Sequence, residues 1–207
     1  MTSPFRIKGG RQRLSKGRSL ITFARHLHGS GANEQAERVG RGALAILASA
    51  LNWLEDSGDF ERAHQELDRA GKFVRKAFGC HLEQVDGKYE QRCPVEIAHV
   101  RLGFSVEMKI QGSECSICKA DYGDCPHIAG ERYGGQTCVR IIERIEALSA
   151  VAIVARPAQP DARLTALPVD SDELRAALGP GFQIGMPVSC DRCLTSCGGF
   201  RELPKPL

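Results

Sequence analysis

The sequence has no long apolar run. None of its apolar stretches approaches the roughly 18–20 residues that cross a bilayer, so we expect no membrane-spanning segment. The basic N-terminal stretch lacks the apolar core and the cleavage site of a secretory signal peptide, which favours a cytoplasmic protein. Aromatic residues make up only 6% of the chain, with one Trp, and therefore offer few surfaces on which nucleobases could stack.

The sequence motifs of several enzyme classes are also missing. There is no Gly-x4-Gly-Lys-Ser/Thr phosphate loop, no Gly-x-Gly-x-x-Gly and no Gly-x-Ser-x-Gly. The chain contains neither a His-Glu-x-x-His helix nor the His-x-Glu…Pro-Cys-x-x-Cys pattern of zinc deaminases. We therefore predict a non-enzymatic protein.

The residues that are present support a folded core. With 207 residues, 42% of them hydrophobic, the chain is large enough for one domain or two small ones. Apolar residues follow a helical period up to Gly79 and a strand period afterwards, which predicts an α+β fold. The predicted parts are a basic flexible arm at residues 1–18, a helical bundle at 19–79 and a zinc-stapled, mainly β domain at 80–207.

The helical bundle is predicted in more detail from its apolar stripes. Helices are expected over residues 19–28, 33–56 and 59–79, separated by glycine-containing breaks. The middle helix has a wide apolar face. If part of it, Ala43–Leu54, were left exposed, the helical hairpin would be suited to bind another protein.

A tight β-hairpin is predicted around Asp86-Gly87. In such a hairpin the numbers of paired residues have a constant sum, here 173, which places Cys80 directly opposite Cys93. This geometry suits two ligands of one metal ion, and a cross-strand disulfide is the alternative.

Further along the chain, two strands and a helix are predicted. Alternating apolar residues indicate a half-buried strand over 100–110, and an apolar run over 147–155 is typical of a central strand. Asp170 to Glu173 resembles a capping box that begins a short helix ending at Leu178.

The nine cysteines favour metal binding. Nine thiols cannot all pair in disulfides, and clustered cysteines in a reducing compartment are typical zinc ligands. Together with histidines they divide into three sets of four donors: Cys115, Cys118, Cys125 and His127; Cys138, Cys190, Cys193 and Cys197; and Cys80, Cys93, His99 and His81. We therefore predict two or three structural Zn²⁺ ions. The last set is the weakest, because His81 follows Cys80 on a strand and points to the opposite face. His64 is interpreted as a core-edge or surface histidine.

Two segments resemble the core strands of tailed-phage prohead maturation proteases. Residues 102–106 are similar to the strand that carries that family's serine nucleophile, and residues 151–162 are similar to its later strand and Pro-Ala-Asn-Pro turn. The similarity covers about residues 100–165, with the Cys115–His127 knuckle inserted. It implies a β core with Ser105 as nucleophile, and a serine peptidase is therefore the alternative function. A base must lie within about 3 Å of the serine. However, His99 is about 20 Å away along a strand, and Ala150 stands where the family has an acid.

Positive charge is concentrated at the N-terminus. Residues 1–33 contain seven Lys/Arg and no acid: Arg6, Lys8, Arg11, Arg13, Lys16, Arg18 and Arg25. Because the net charge of the whole chain is only +3, the remainder is net negative. A basic segment on an acidic body can bind phosphates, so we predict docking on nucleic acid or an anionic partner in a bacterial or phage-linked assembly. The contacts would involve the first six of these residues. A protein–protein adaptor is the other alternative.

Overall fold

The fold is α+β, as predicted. The protein is described by a computed structural model over residues 4–190, with side chains from residue 6 onward. The helices are α1 (Pro4–Gly29), α2 (Asn33–Trp53), α3 (Phe60–Phe78), α4 (Pro94–Val100) and α5 (Ser171–Leu178). The strands are β1 (Glu83–Val85), β2 (Lys88–Gln91), β3 (Gly103–Cys115), β4 (Arg132–Tyr133), β5 (Gln136–Thr137), β6 (Arg140–Val154) and β7 (Leu167–Val169). Among the described residues, no helix combines the length and apolar content that a bilayer crossing requires.

Helix α1 corrects the prediction of a flexible arm at residues 1–18. Residues 4–18 are helical and pack against α2, because glycines allow the two backbones to approach closely. A Cβ atom at Gly10 would lie 2.5 Å from Leu54 Cγ, and one at Gly17 would lie 2.6 Å from Leu47 Cγ. Gly10 and Gly17 therefore mark a close contact of α1 with the α2 region.

The main apolar core lies among α1, α2 and α3. Leu47 and Leu51 of α2 and Leu54 directly after it are fully or almost fully buried, so the stripe over residues 43–54 is not an exposed docking surface. The short helix α4 adds Val95 and Ala98 to this core. The predicted domain boundaries stay predictions, but α4 shows that part of the region after residue 79 packs with the helices.

The predicted hairpin is confirmed. Strands β1 and β2 pair with Glu83 opposite Glu90, which has the expected sum of 173, and β7 extends this antiparallel sheet. Cys80 and Cys93 lie just outside the paired residues. Helix α5 is also as predicted, since the Asp170 carboxylate accepts a 2.6 Å hydrogen bond from the Asp172 backbone N–H at its first turn.

A long two-stranded ribbon, β3–β6, corrects two strand predictions. Its first strand begins at Gly103 rather than residue 100, because residues 94–100 form α4. The later strand is not central, because among the described strands β6 pairs only with β3 and is exposed along almost its whole length. Apolar side chains lie opposite one another on this ribbon: Phe104 and Ile153, Val106 and Val151, Met108 and Leu148. The exposed apolar residues therefore lie on this ribbon rather than on the helical hairpin, whose apolar stripe is buried.

Candidate metal centres

One candidate centre lies in the loop between β3 and β5. Cys115 ends β3, and a tight turn with Lys119 at φ 63° brings Cys118 back beside it. The Ile117 backbone N–H points at Cys115 Sγ, with a distance of 3.4 Å from nitrogen to sulfur. The loop then returns through Cys125 and His127. The Cys-x2-Cys spacing thus places two thiols in one turn, as a metal knuckle requires.

The four donor atoms of this loop converge. All ligand atoms of Cys115, Cys118, Cys125 and His127 lie within 4.8 Å of one another. Cys118 Sγ is 3.4 Å from Cys125 Sγ, and His127 Nδ1 is 3.2 Å from Cys125 Sγ and 3.7 Å from Cys115 Sγ. Sulfur ligands at about 2.3 Å from a tetrahedral zinc ion are about 3.8 Å apart. The donor set and its spacing therefore fit a metal ion.

Hydrogen bonds in the knuckle favour a thiolate. Desolvation by burial opposes ionisation of Cys115, but the backbone N–H groups of Cys118 and Ile117 and the neighbouring thiols outweigh it and lower the pKa of Cys115 to about 6. Burial, hydrogen bonds with the Cys118 and Cys115 side chains and the negative charge of Cys115 raise the pKa of Cys125 to about 11, against the His127 backbone N–H, which lowers it. A bound cation would remove this competition by stabilising several thiolates at once.

Cys138 belongs to this loop, which corrects the prediction that it joins Cys190, Cys193 and Cys197. It is fully buried, and its Sγ lies 3.7 Å from Cys115 Sγ. Burial and the Cys115 thiol raise its pKa. It is therefore a fifth sulfur beside the four-donor group.

A second cysteine neighbourhood forms at the open end of the β1–β2 hairpin. The Cys190 backbone N–H donates to the Cys80 carbonyl at 2.8 Å. The Gln91 side chain donates to Cys190 Sγ at 3.1 Å and accepts from the Cys93 backbone N–H at 2.9 Å. Burial and the neighbouring Cys93 and Cys190 thiols raise the pKa of Cys80, whereas Arg41 opposes this effect. Cys80, Cys93 and Cys190 thus share one neighbourhood, although Cys80 and Cys93 lie outside the paired residues of the hairpin.

The histidines predicted for the hairpin set lie elsewhere. His81 is exposed and forms a β-bridge with Ser189, whereas His99 is turned towards His64 and Asp68 on α3. The set of Cys80, Cys93, His99 and His81 is therefore corrected, because α4 takes the histidine away from the hairpin. Cys193 and Cys197 lie outside the described residues.

Sequence reasoning missed the cluster that His99 joins. The ligand atoms of His64, Asp68 and His99 also lie within 4.8 Å of one another. The interpretation of His64 as a core-edge residue agrees with its burial but overlooked the His-x3-Asp spacing, which places both side chains on one face of a helix.

The basic residues of α1 are partly engaged within the fold. Arg11 pairs with Asp59 at 2.6 Å, Arg18 lies 3.4 Å from Glu66, and the Arg13 guanidinium lies over the Trp53 ring at 3.8 Å. Arg6 donates to the Ala158 carbonyl. Lys8 and Lys16 are exposed on the helix surface.

Ser105 has no catalytic partner in the described part of the chain. It lies in β3 opposite Ala152, and its side chain makes no hydrogen bond within residues 6–190. The peptidase hypothesis stays a prediction.

Comparison of this chain with protein-family models, curated proteins and solved structures gives no match. The candidate metal centres therefore provide the evidence on function.

Proposed function

We propose that this protein is a non-enzymatic zinc-binding protein in which Cys115, Cys118, Cys125 and His127 hold a structural Zn²⁺ ion. The supporting observation is the convergence of these four ligand atoms within 4.8 Å. Three sulfurs and one imidazole form a closed tetrahedral set, which is typical of structural rather than catalytic zinc.

A structural zinc ion would stabilise this loop, because the loop has little apolar packing of its own. Neither apolar core of the described residues includes any side chain between 99 and 168. Short strands β4 and β5 pair over only two positions. A zinc ion would hold this loop in one conformation where hydrophobic contacts do not.

Metal content tests the proposal directly. Native mass spectrometry of the full chain should show bound zinc that a strong chelator removes. Replacement by Co²⁺ should produce thiolate-to-cobalt charge-transfer absorption. A protein purified without chelator that carries no zinc, and that takes up none at neutral pH, would contradict the proposal.

The second cysteine neighbourhood is proposed to bind another zinc ion. Cys80, Cys93 and Cys190 come together from the hairpin and the segment after α5. Cys193 follows Cys190 at the spacing of a metal knuckle, which makes it the expected fourth donor. Cys190 then contributes to the same ion as the hairpin cysteines rather than forming a site with Cys138.

We also propose that α1 docks the protein on nucleic acid or another anionic partner. As an ordered helix, α1 presents Lys8 and Lys16 on its surface. Internal pairing of Arg11 and Arg18 with Asp59 and Glu66 reduces the charge available to phosphates. We therefore expect few phosphate contacts and weak dependence on base sequence.

Replacing Lys8 and Lys16 together by glutamine should weaken binding to duplex DNA and reduce its salt dependence. Each lost phosphate contact should lower the slope of log K against log salt by about 0.9. Fluorescence anisotropy at several salt concentrations measures both quantities. The control replaces Lys72 and Lys76, two exposed lysines on α3, by glutamine. Equal effects of the two double variants would contradict a specific role for α1.

A further inference from the structure

The side chains of His64, Asp68 and His99 form a compact cluster between α3 and α4. His64 Nε2 is 3.0 Å from His99 Nε2, and the Asp68 carboxylate oxygens lie 3.4 Å from His64 Nε2 and 3.7 Å from His99 Nε2. Ligands at about 2.0–2.1 Å from a tetrahedral zinc ion are about 3.3 Å apart. These three distances therefore leave room for one ion bound to all three side chains.

The fold positions this cluster through close helix packing. His64 and Asp68 are one turn apart on α3, so both project from the same face. Gly71 lets α4 approach that face, because a Cβ there would lie 2.7 Å from Val95 Cγ2. The approach brings His99, in the last turn of α4, over the α3 pair.

The outer nitrogen of the His99 ring is held as that of a metal-bound histidine usually is. His99 Nδ1 lies 2.5 Å from the Val95 carbonyl oxygen, and His64 Nδ1 lies 3.6 Å from a Glu61 carboxylate oxygen. The Val95 carbonyl favours a proton on His99 Nδ1, which leaves the lone pair of His99 Nε2 directed at His64 Nε2. A cation between the two Nε2 atoms would accept a lone pair from each ring.

We propose that His64, Asp68 and His99 bind a divalent transition-metal ion such as Zn²⁺, at a site separate from the cysteine centres. Imidazole and carboxylate donors suit zinc and its neighbours in the first transition row better than Mg²⁺ or Ca²⁺. The side chains of His64 and His99 are only 10% and 14% exposed, and Asp68 is 22% exposed. Three protein donors leave one tetrahedral position for water or an added ligand, unlike the closed cysteine sites.

The proposal is tested on the full chain loaded with ¹¹³Cd²⁺. Its NMR spectrum should contain one resonance in the range of nitrogen and oxygen ligands, apart from the resonances of sulfur-rich sites. This measurement uses the unaltered protein and so does not depend on the folding of any variant. If all cadmium resonances fall in the sulfur range, the two histidines bind no metal ion and the proposal is overturned.

Variants assign that resonance to residues. The double variant His64→Gln and His99→Gln should lose one ion per chain in native mass spectrometry, and Asp68→Asn should weaken zinc binding at the same site. The control His26→Gln changes an exposed histidine of α1 and should keep every ion. Far-UV circular dichroism verifies that the helices remain. A folded double variant that retains the full metal count would overturn the proposal.

The same measurements separate this site from the cysteine centre. Replacing Cys118 and Cys125 by serine should remove a sulfur-range resonance and leave the nitrogen and oxygen resonance in place. If the cysteine variant loses only the sulfur-range resonance, and the histidine variant loses only the nitrogen and oxygen resonance, both sites exist and are independent. If only one variant loses its resonance, only the proposal for that site holds.

Discussion

Replacing Cys118 and Cys125 together by serine should remove one zinc ion per chain and open residues 116–139 to proteolysis. The four donor atoms of this loop converge within 4.8 Å, and the variant removes half of them. The loop contributes no side chain to the apolar cores of the described residues, so no hydrophobic packing could replace the ion. The free energy of zinc binding would therefore also be the free energy that folds the loop. Limited proteolysis followed by mass spectrometry locates the cleavage sites.

The matched control lies in the same loop. Lys119 has a 63% exposed side chain and lies 3.4 Å from Glu114, so Lys119→Gln should keep the ion and the protease resistance. Chelation of the wild-type protein should reproduce the cleavage pattern of the double variant. If chelation leaves the loop fully resistant, its shape does not depend on metal.

Glu55→Ala should destabilise the protein by about 3–5 kcal/mol, because it leaves two buried arginines without their carboxylate. Glu55 pairs with Arg101 and, at 2.6 Å, with Arg163. The two arginine side chains are 9% and 7% exposed. Burial and the nearby Arg101 charge lower the pKa of Arg163, whereas Glu55 raises it. The carboxylate therefore offsets the repulsion of two close cations.

This cluster joins the helices to the β3–β6 ribbon. Arg163 also donates to the carbonyls of Arg101 and Ala155 at 3.0 and 2.7 Å, so it holds both strands at one end of the ribbon near the end of α2. Urea unfolding measures the change in free energy. The control Asp56→Ala removes an exposed pair with Arg156 and should cost about 0–1 kcal/mol. Equal losses in the two variants would show that the Glu55 cluster contributes no more than a surface ion pair.

Elements with local determinants could be predicted from the sequence. The β1–β2 hairpin follows from Asp86-Gly87, where both residues adopt positive φ, and α5 follows from the Asp170 cap. The Cys115–His127 group spans 13 residues, so its spacing alone brought the four donors into one loop. In each case the interacting atoms belong to one short stretch of chain.

Other parts depended on contacts between distant segments. Residues 1–18 were predicted to be a flexible arm, but Gly10 and Gly17 lie close against Leu54 and Leu47 in the folded structure. His99 was expected in a strand beside the cysteines, but Pro94 begins a helix that carries it to α3. Cys138 and Cys190 were predicted to share one site, but Cys138 lies beside Cys115 and Cys190 lies beside Cys80. The pairing of β3 with β6 and the course of the chain after α5 determine these neighbours.

The sequence by itself determined the α+β class, the helical period before residue 79, the hairpin register and the composition of the loop centre. Only the tertiary structure decided that α1 is a packed helix, that the ribbon is exposed, and that His64, Asp68 and His99 share one site. Local hydrogen bonds and the period of apolar residues involve only a few neighbouring residues, so the spacing of residues in the sequence is enough to predict them. The pairing of remote side chains depends instead on how whole elements pack, which no local pattern specifies.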